Sequence, residues 1–400
     1  MKTKFYLLLV LVTGAAQVFA QCGQRYKDMI FSNVTITSDV TYSTANSNTL
    51  KMDIYEPTGD TASQRPVLIM AHGGSFVSGS KNDDNVVVTM CNNYAKRGYV
   101  TAAINYRLAN FWDMLDSSKV IETVLKAISD GKSAIRFFRK DAATTNTYRI
   151  NPNWIFAGGN SAGAVLYMHV IYLDSLGEAP PAFQNIINQN GGIDGNSGND
   201  GYSSELAAVI NLAGGLNKPE FVGPGNKPSF NAQGDADLTV PYGCANAQNG
   251  ATPVRLCGLE AIQPLYDQYG IENSSIVYPG AGHCPWQNNA AMMTQVDTTS
   301  ANFLYSLMCG TSTSVNDIKF NADITLFPNP ANDRLNIRSN IKPVSVVMFD
   351  NLGREVINQP VVDGYNLTLN TSSLAKGVYI VKVEFADKNY ATSVQRVVIE

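Results

Sequence analysis

Histidine is scarce in this chain, occurring at three positions, 72, 169 and 283. Any chemistry that needs an imidazole must use one of them. There is no C-x-x-C pair, so the six cysteines favour disulfides over metal or redox work in an oxidising compartment. No basic cluster is present either. With a formal net charge of −4, nucleic acid and anionic membrane surfaces are not expected as partners. Beyond the N-terminus no stretch approaches the roughly 20 apolar residues that a spanning helix needs, so the mature chain is expected to lack a transmembrane segment. Internal repeats and long low-complexity tracts are also missing.

The N-terminus does carry a signal. Lys2 and Lys4 precede the apolar run 5–12, and Val18-Phe19-Ala20 forms a small-residue cleavage pattern, which predicts a secretory signal peptide over 1–20. Cys22 follows, but Gln21 stands where a lipid-attachment signal wants a small residue. Four hundred residues exceed what one hydrophobic core usually supports, so two folded units are expected. For the cysteines, Cys244 and Cys257 are near enough in sequence to staple one loop. Cys284 with Cys309, leaving Cys22 with Cys91, is one completion, and spacing alone leaves the pairing open.

Strand-like runs at 67–71, 100–105, 154–158, 207–213 and 276–278 alternate with helical patterns. That alternation predicts an α/β unit, a mostly parallel central sheet flanked by helices. Val120, Val124, Ala127, Ile128, Gly131, Ala134, Ile135 and Phe138 recur on one helical face. Leu256, Leu259, Ile262, Leu265, Tyr266 and Tyr269 repeat the pattern, and Gly270 stops it. After Cys309, Gly310-Thr311-Ser312-Thr313-Ser314 reads as a linker. Short alternating runs at 334–338, 345–349, 379–384 and 394–399 then predict a small all-β sandwich.

Gly159-Asn160-Ser161-Ala162-Gly163 sits directly after the strand run 154–158 and before the apolar run 164–173. A sharp strand-to-helix turn of this kind lifts a serine hydroxyl clear of the sheet, and the glycines remove side chains that would collide there. The competing reading is a glycine-rich turn opening a buried helix. His72-Gly73-Gly74-Ser75-Phe76 follows the run 67–71, where backbone N–H groups free to approach a ligand can stabilise developing negative charge. Gly74, Ser75 and Ala162 are the oxyanion-donor candidates.

Elimination then picks the base. His72 belongs to the donor loop and braces it. His169 lies eight residues beyond Ser161 on the same helix, roughly 12 Å along the axis, too far to take the serine proton. His283, in the flexible Gly280-Ala281-Gly282-His283 loop, remains. The carboxylate that orients it should lie between serine and histidine in the chain, where Asp235 and Asp237 are candidates. Asp237 is preferred because Val240-Pro241 anchors its loop, whereas Asp235 reads as a turn-former.

Together with Asn105-Tyr106-Arg107, these motifs resemble the carboxylesterase and lipase branch of the α/β-hydrolases over residues of about 45–308. Two departures are Ser75 in place of a glycine and Asn160 where an acidic residue is common. Neither removes a backbone donor. Leu326-Phe327-Pro328-Asn329-Pro330-Ala331, Asp350-Asn351-Leu352-Gly353-Arg354, Leu374-Ala375-Lys376-Gly377-Val378-Tyr379 and Arg396 before Val397-Val398-Ile399 resemble a type IX secretion C-terminal sorting domain. The resemblances imply a catalytic domain over 21–309, a linker over 310–322 and a sorting domain over 323–400. They further imply a secreted or surface-located serine carboxylesterase acting through an acyl-enzyme on a small or polymer-linked ester, such as an acetyl or feruloyl ester of a polysaccharide. Secretion machinery is the partner implied for the C-terminal domain. No cofactor or metal is expected. The other readings are a serine peptidase of the same fold and a silent surface carbohydrate-binding protein.

Overall fold

Seven consecutive buried residues, Arg65–Ala71, form one continuous strand. A run with no exposed face belongs in the middle of a sheet covered on both sides. A computed structural model describes residues 22–44, 48–309, 322, 324–351, 353–361, 364–385 and 392–400. The expected export segment and the stretch 310–314 lie outside them. The described residues fall into two compact units, one ending by residue 313 and the other starting no earlier than 314.

The first unit opens with β1 (Val34–Ser43), β2 (Leu50–Pro57) and β3 (Arg65–Ala71). It continues with helix α1 (Asn85–Lys96), β4 (Val100–Ile104), α2 (Ser117–Ala143), β5 (Ile150–Asn160) and α3 (Ala162–Tyr172). Then come α4 (Pro181–Gln189), β6 (Val209–Leu212), β7 (Ser229–Gly234) and the hairpin β8 (Cys244–Asn246) with β9 (Arg255–Cys257). Helix α5 (Leu259–Tyr269), β10 (Asn273–Tyr278) and α6 (Ala290–Cys309) complete it. Eight strands make one sheet in the order β1-β2-β4-β3-β5-β6-β7-β10. The pairs β1/β2 and β2/β4 are antiparallel. From β4 to β10 every neighbouring pair is parallel.

Caps set the helix starts. The Asp84 side chain accepts from Val86 and Val87 at the head of α1, and Asp116 accepts from Ser118 and Lys119 at the head of α2. Gly270, at φ 64°, ends α5 in the left-handed shape that the sequence predicts. The start of α5 differs from expectation. Leu256 belongs to β9, and its apolar side chain packs against the core from that hairpin rather than from a helix.

The disulfides correct one expectation. Cys244 pairs with Cys257 as anticipated, but Cys22 pairs with Cys309. Neither Cys22–Cys91 nor Cys284–Cys309 forms; Cys91 and Cys284 are buried free thiols. The reason is the path of the N-terminal segment, which runs beside α6. Tyr26 N–H donates to Arg97 O at 2.8 Å, Tyr305 Oη donates to Gly23 O at 2.9 Å, and Arg97 is paired with Asp297 on α6 at 2.7 Å. Cys91 meanwhile faces inward on α1 against the sheet. Among the described residues no helix is long and apolar enough to cross a membrane.

The described residues of the second unit form seven strands in two antiparallel sheets. Strands β11 (Ile324–Phe327), β12 (Arg334–Ser339) and β15 (Asn366–Asn370) make one; β13 (Pro343–Phe349), β14 (Glu355–Pro360), β16 (Gly377–Phe385) and β17 (Ser393–Ile399) make the other. Leu335, Ile337 and Leu369 from the first sheet meet Val346, Met348, Val381 and Val397 from the second in one buried cluster. That is the expected all-β sandwich.

Candidate active site

Ser161 stands between β5 and α3 at φ 55° and ψ −116°, a backbone shape costly for any residue with a Cβ. The flanking chain can take that turn only with glycine beside it. A Cβ on Gly163 would lie 2.1 Å from the Ala71 carbonyl oxygen, and one on Gly159 would lie 2.3 Å from Gly163. The result places the serine hydroxyl 2.7 Å from His283 Nε2, and His283 Nδ1 lies 2.7 Å from Asp237 Oδ2. Three side chains from three loops are thus joined in one hydrogen-bonded line.

Asp237 is buried, and its second oxygen accepts from the N–H groups of Thr239 (2.8 Å) and Val240 (3.0 Å). Its loop is braced by Gln233, which donates to Val240 O and accepts from the N–H of Leu259 at the head of α5. Asp235 is exposed and accepts from Gly280 N–H at 2.6 Å, so it shapes the turn that carries His283 without touching the ring.

The other two histidines are elsewhere. The His72 ring stacks on Tyr106 with centroids 4.4 Å apart, its Nδ1 lies 2.6 Å from Gly73 O, and burial lowers its pKa. Tyr106 Oη donates to His72 O, and Asn105 Oδ1 accepts from Lys81 N–H, so the Asn105-Tyr106-Arg107 stretch buttresses the donor loop. Arg107 itself pairs with buried Asp130 at 2.7 Å. His169 is buried in α3. Its Nδ1–H faces Val165 O at 2.8 Å and its Nε2 accepts from Asn217 N–H at 3.1 Å, which fixes it as a neutral ring.

The donor candidates line the cavities that reach Ser161. Gly74, at φ +112°, allows a turn in which a Cβ would overlap the Ser78 carbonyl; Ser75 and Phe76 follow at φ 55° and 62°. Among the described residues, no acceptor takes the N–H of Gly74, Ser75 or Ala162. Donors left free in such a loop are available to a ligand.

Three supporting roles escaped the sequence reading. Asp84 caps α1 with Oδ1, while its Oδ2 accepts from Gly73 N–H (2.9 Å) and Asn160 Nδ2 (3.1 Å), tying donor loop, serine turn and helix together. The cap signal, an Asp just before an apolar helical run, was readable; the second oxygen's partners were not. Asn160 also accepts from Trp286 Nε1 at 3.2 Å, which fills the site of the family's acidic residue with a neutral bridge. Gln248, on the stapled hairpin, donates to Ser75 Oγ at 2.8 Å.

Two cavities meet at Ser161, Ser75 and Thr239. One, of about 100 Å³, is walled by apolar side chains of α2, α3 and α4. The other, about 310 Å³ and open, carries Asp83, Asn160, Thr239, His283 and Gln287 on its walls. Among the described residues no group of three His, Cys, Asp or Glu is placed to hold a metal ion.

Residues 52–217 match the BD-FAE family, and residues 325–400 match a secretion system C-terminal sorting domain. The chain carries an α/β-hydrolase unit of the BD-FAE kind and a type IX sorting domain. The α/β-hydrolase unit is similar to solved structures of esterase 2 from Thermogutta terrifontis, one phosphonylated by cyclosarin and one apo. Each is 21% identical with a TM-score of 0.50, covering 70% of this chain and 96% of that one, which establishes likeness of fold. No curated protein matches the chain.

Proposed function

We propose that the α/β-hydrolase unit is an exported serine esterase. The observation that carries the reading is the line Ser161 Oγ, His283, Asp237, with both links at 2.7 Å. Ser161 Oγ attacks the ester carbonyl carbon as His283 Nε2 takes its proton. The oxyanion so formed accepts from the N–H groups of Ala162, Ser75 and Gly74. Collapse breaks the carbon–oxygen bond to the alcohol, and His283 returns the proton to the departing oxygen. Water, deprotonated by His283, then attacks the acyl carbon; collapse breaks its bond to Ser161 Oγ, which takes the proton back from His283, and the acid is freed. Asp237 keeps the imidazole in the tautomer with Nδ1–H and stabilises the imidazolium. The sorting domain directs the chain to the cell surface or medium through the secretion machinery.

On p-nitrophenyl butyrate without added metal, Ser161→Ala or His283→Ala should lower kcat by about 10⁴-fold or more. Unchanged turnover in well-folded Ser161→Ala protein would end this reading.

A further inference from the structure

The two cavities at Ser161 differ in chemistry, and the reaction decides which half of an ester each takes. This step rests on the esterase reading. His283 must deliver a proton to the leaving oxygen, so the alcohol lies on the side that His283 lines. That side is the open cavity with Asp83, Asn160, Thr239 and Gln287. The acyl group therefore points the other way, into the cavity walled by Val124, Ile128, Val165, Leu173, Phe183 and Ile187.

That cavity is long. On α3 its wall runs from Ala162 to Leu173, a distance of roughly 16 Å at the helical rise per residue.

Few polar groups stand on its wall, and several of them are engaged within the protein. His169 bonds Val165 and Asn217; Asn217 Nδ2 donates to Arg255 O, Thr252 Oγ1 donates to Ala247 O, and Gln248 is held by Ser75. A hydroxycinnamoyl ring would set its hydroxyl and methoxy oxygens against a mostly apolar wall. An acetyl group would leave most of the apolar wall unused.

We infer that the preferred substrate is an ester of an unbranched medium-chain aliphatic acid, near octanoate, with a small polar alcohol such as glycerol or a sugar. This places the enzyme away from acetylated or feruloylated polysaccharide.

The test uses the full exported chain and two comparisons. In the first, p-nitrophenyl acetate, butyrate, octanoate and palmitate are compared with methyl ferulate; octanoate should exceed acetate in kcat/KM by about tenfold or more, with methyl ferulate below octanoate. In the second, monooctanoyl glycerol should be cleaved faster than its reversed counterpart octyl acetate. Val124→Trp should lower the octanoate-to-acetate ratio about tenfold. Val124→Ala, which enlarges the cavity, should move the optimum to longer chains and serves if the tryptophan variant fails to fold. Preference for acetate, methyl ferulate or octyl acetate by an enzyme that still reacts with a fluorophosphonate at Ser161 overturns the acyl assignment alone. Absence of both turnover and labelling overturns the esterase reading with it.

Discussion

Asp235 and Asp237 are two residues apart and differ in everything the mechanism needs. Asp237 is buried, satisfied on one oxygen by two backbone N–H groups and directed by the other at His283. Asp235 is exposed and holds the Gly280 turn. Asp237→Asn should therefore lower kcat by about 10⁴-fold, because an amide favours the wrong imidazole tautomer. Asp235→Asn should change kcat far less and show its cost in thermal unfolding. A reversed ranking in steady-state assays would move the orienting role to Asp235. The sequence narrowed the choice to these two and preferred Asp237 for its anchored loop, but the direction of each carboxylate was not legible, since both sit in the same turn.

Helix α3 is buried along its whole length, so its pattern shows no polar face and a helical period could not announce it. It was legible because glycines and a serine open it and a strand precedes it. His169 sits inside it, and burial lowers the imidazole pKa from 6.5 to about 4. Between those pH values the unfolded chain binds a proton that the folded protein refuses, so stability rises with pH. The contribution is fully present above pH 6.5 and is lost as pH falls toward 4, by about 1.4 kcal/mol per unit. His169→Gln should flatten that limb in urea unfolding followed across pH, and an unchanged slope would contradict the burial argument. Other elements were less legible for definite reasons. β1 exposes most of its residues, and its burial does not alternate cleanly. The helical spacing through Leu256 belongs partly to a hairpin, since short apolar runs fit either period. Cys22 and Cys309 are joined only by the path of the chain ends, which spacing does not encode.

The two units keep separate apolar clusters, and Ser161, Asp237 and His283 all lie in the first. A chain ending at Ser314 should keep kcat/KM on a small ester within about twofold, as expected where domains part at a linker. In a host with type IX secretion it should accumulate in the periplasm, while the intact chain reaches the surface or medium. Truncation that spares export but weakens adsorption to insoluble polysaccharide would contradict the export role, and loss of small-ester turnover in folded protein would move the boundary. The central claim concerns one oxygen atom. A serine hydroxyl activated by a histidine reacts with organophosphorus electrophiles, so such a probe reports on that atom directly. Intact exported protein treated with a fluorophosphonate and analysed by peptide mass spectrometry should carry one adduct per chain, on Ser161, with esterase activity lost in proportion. An adduct on another residue, or full activity in fully labelled protein, would contradict the account.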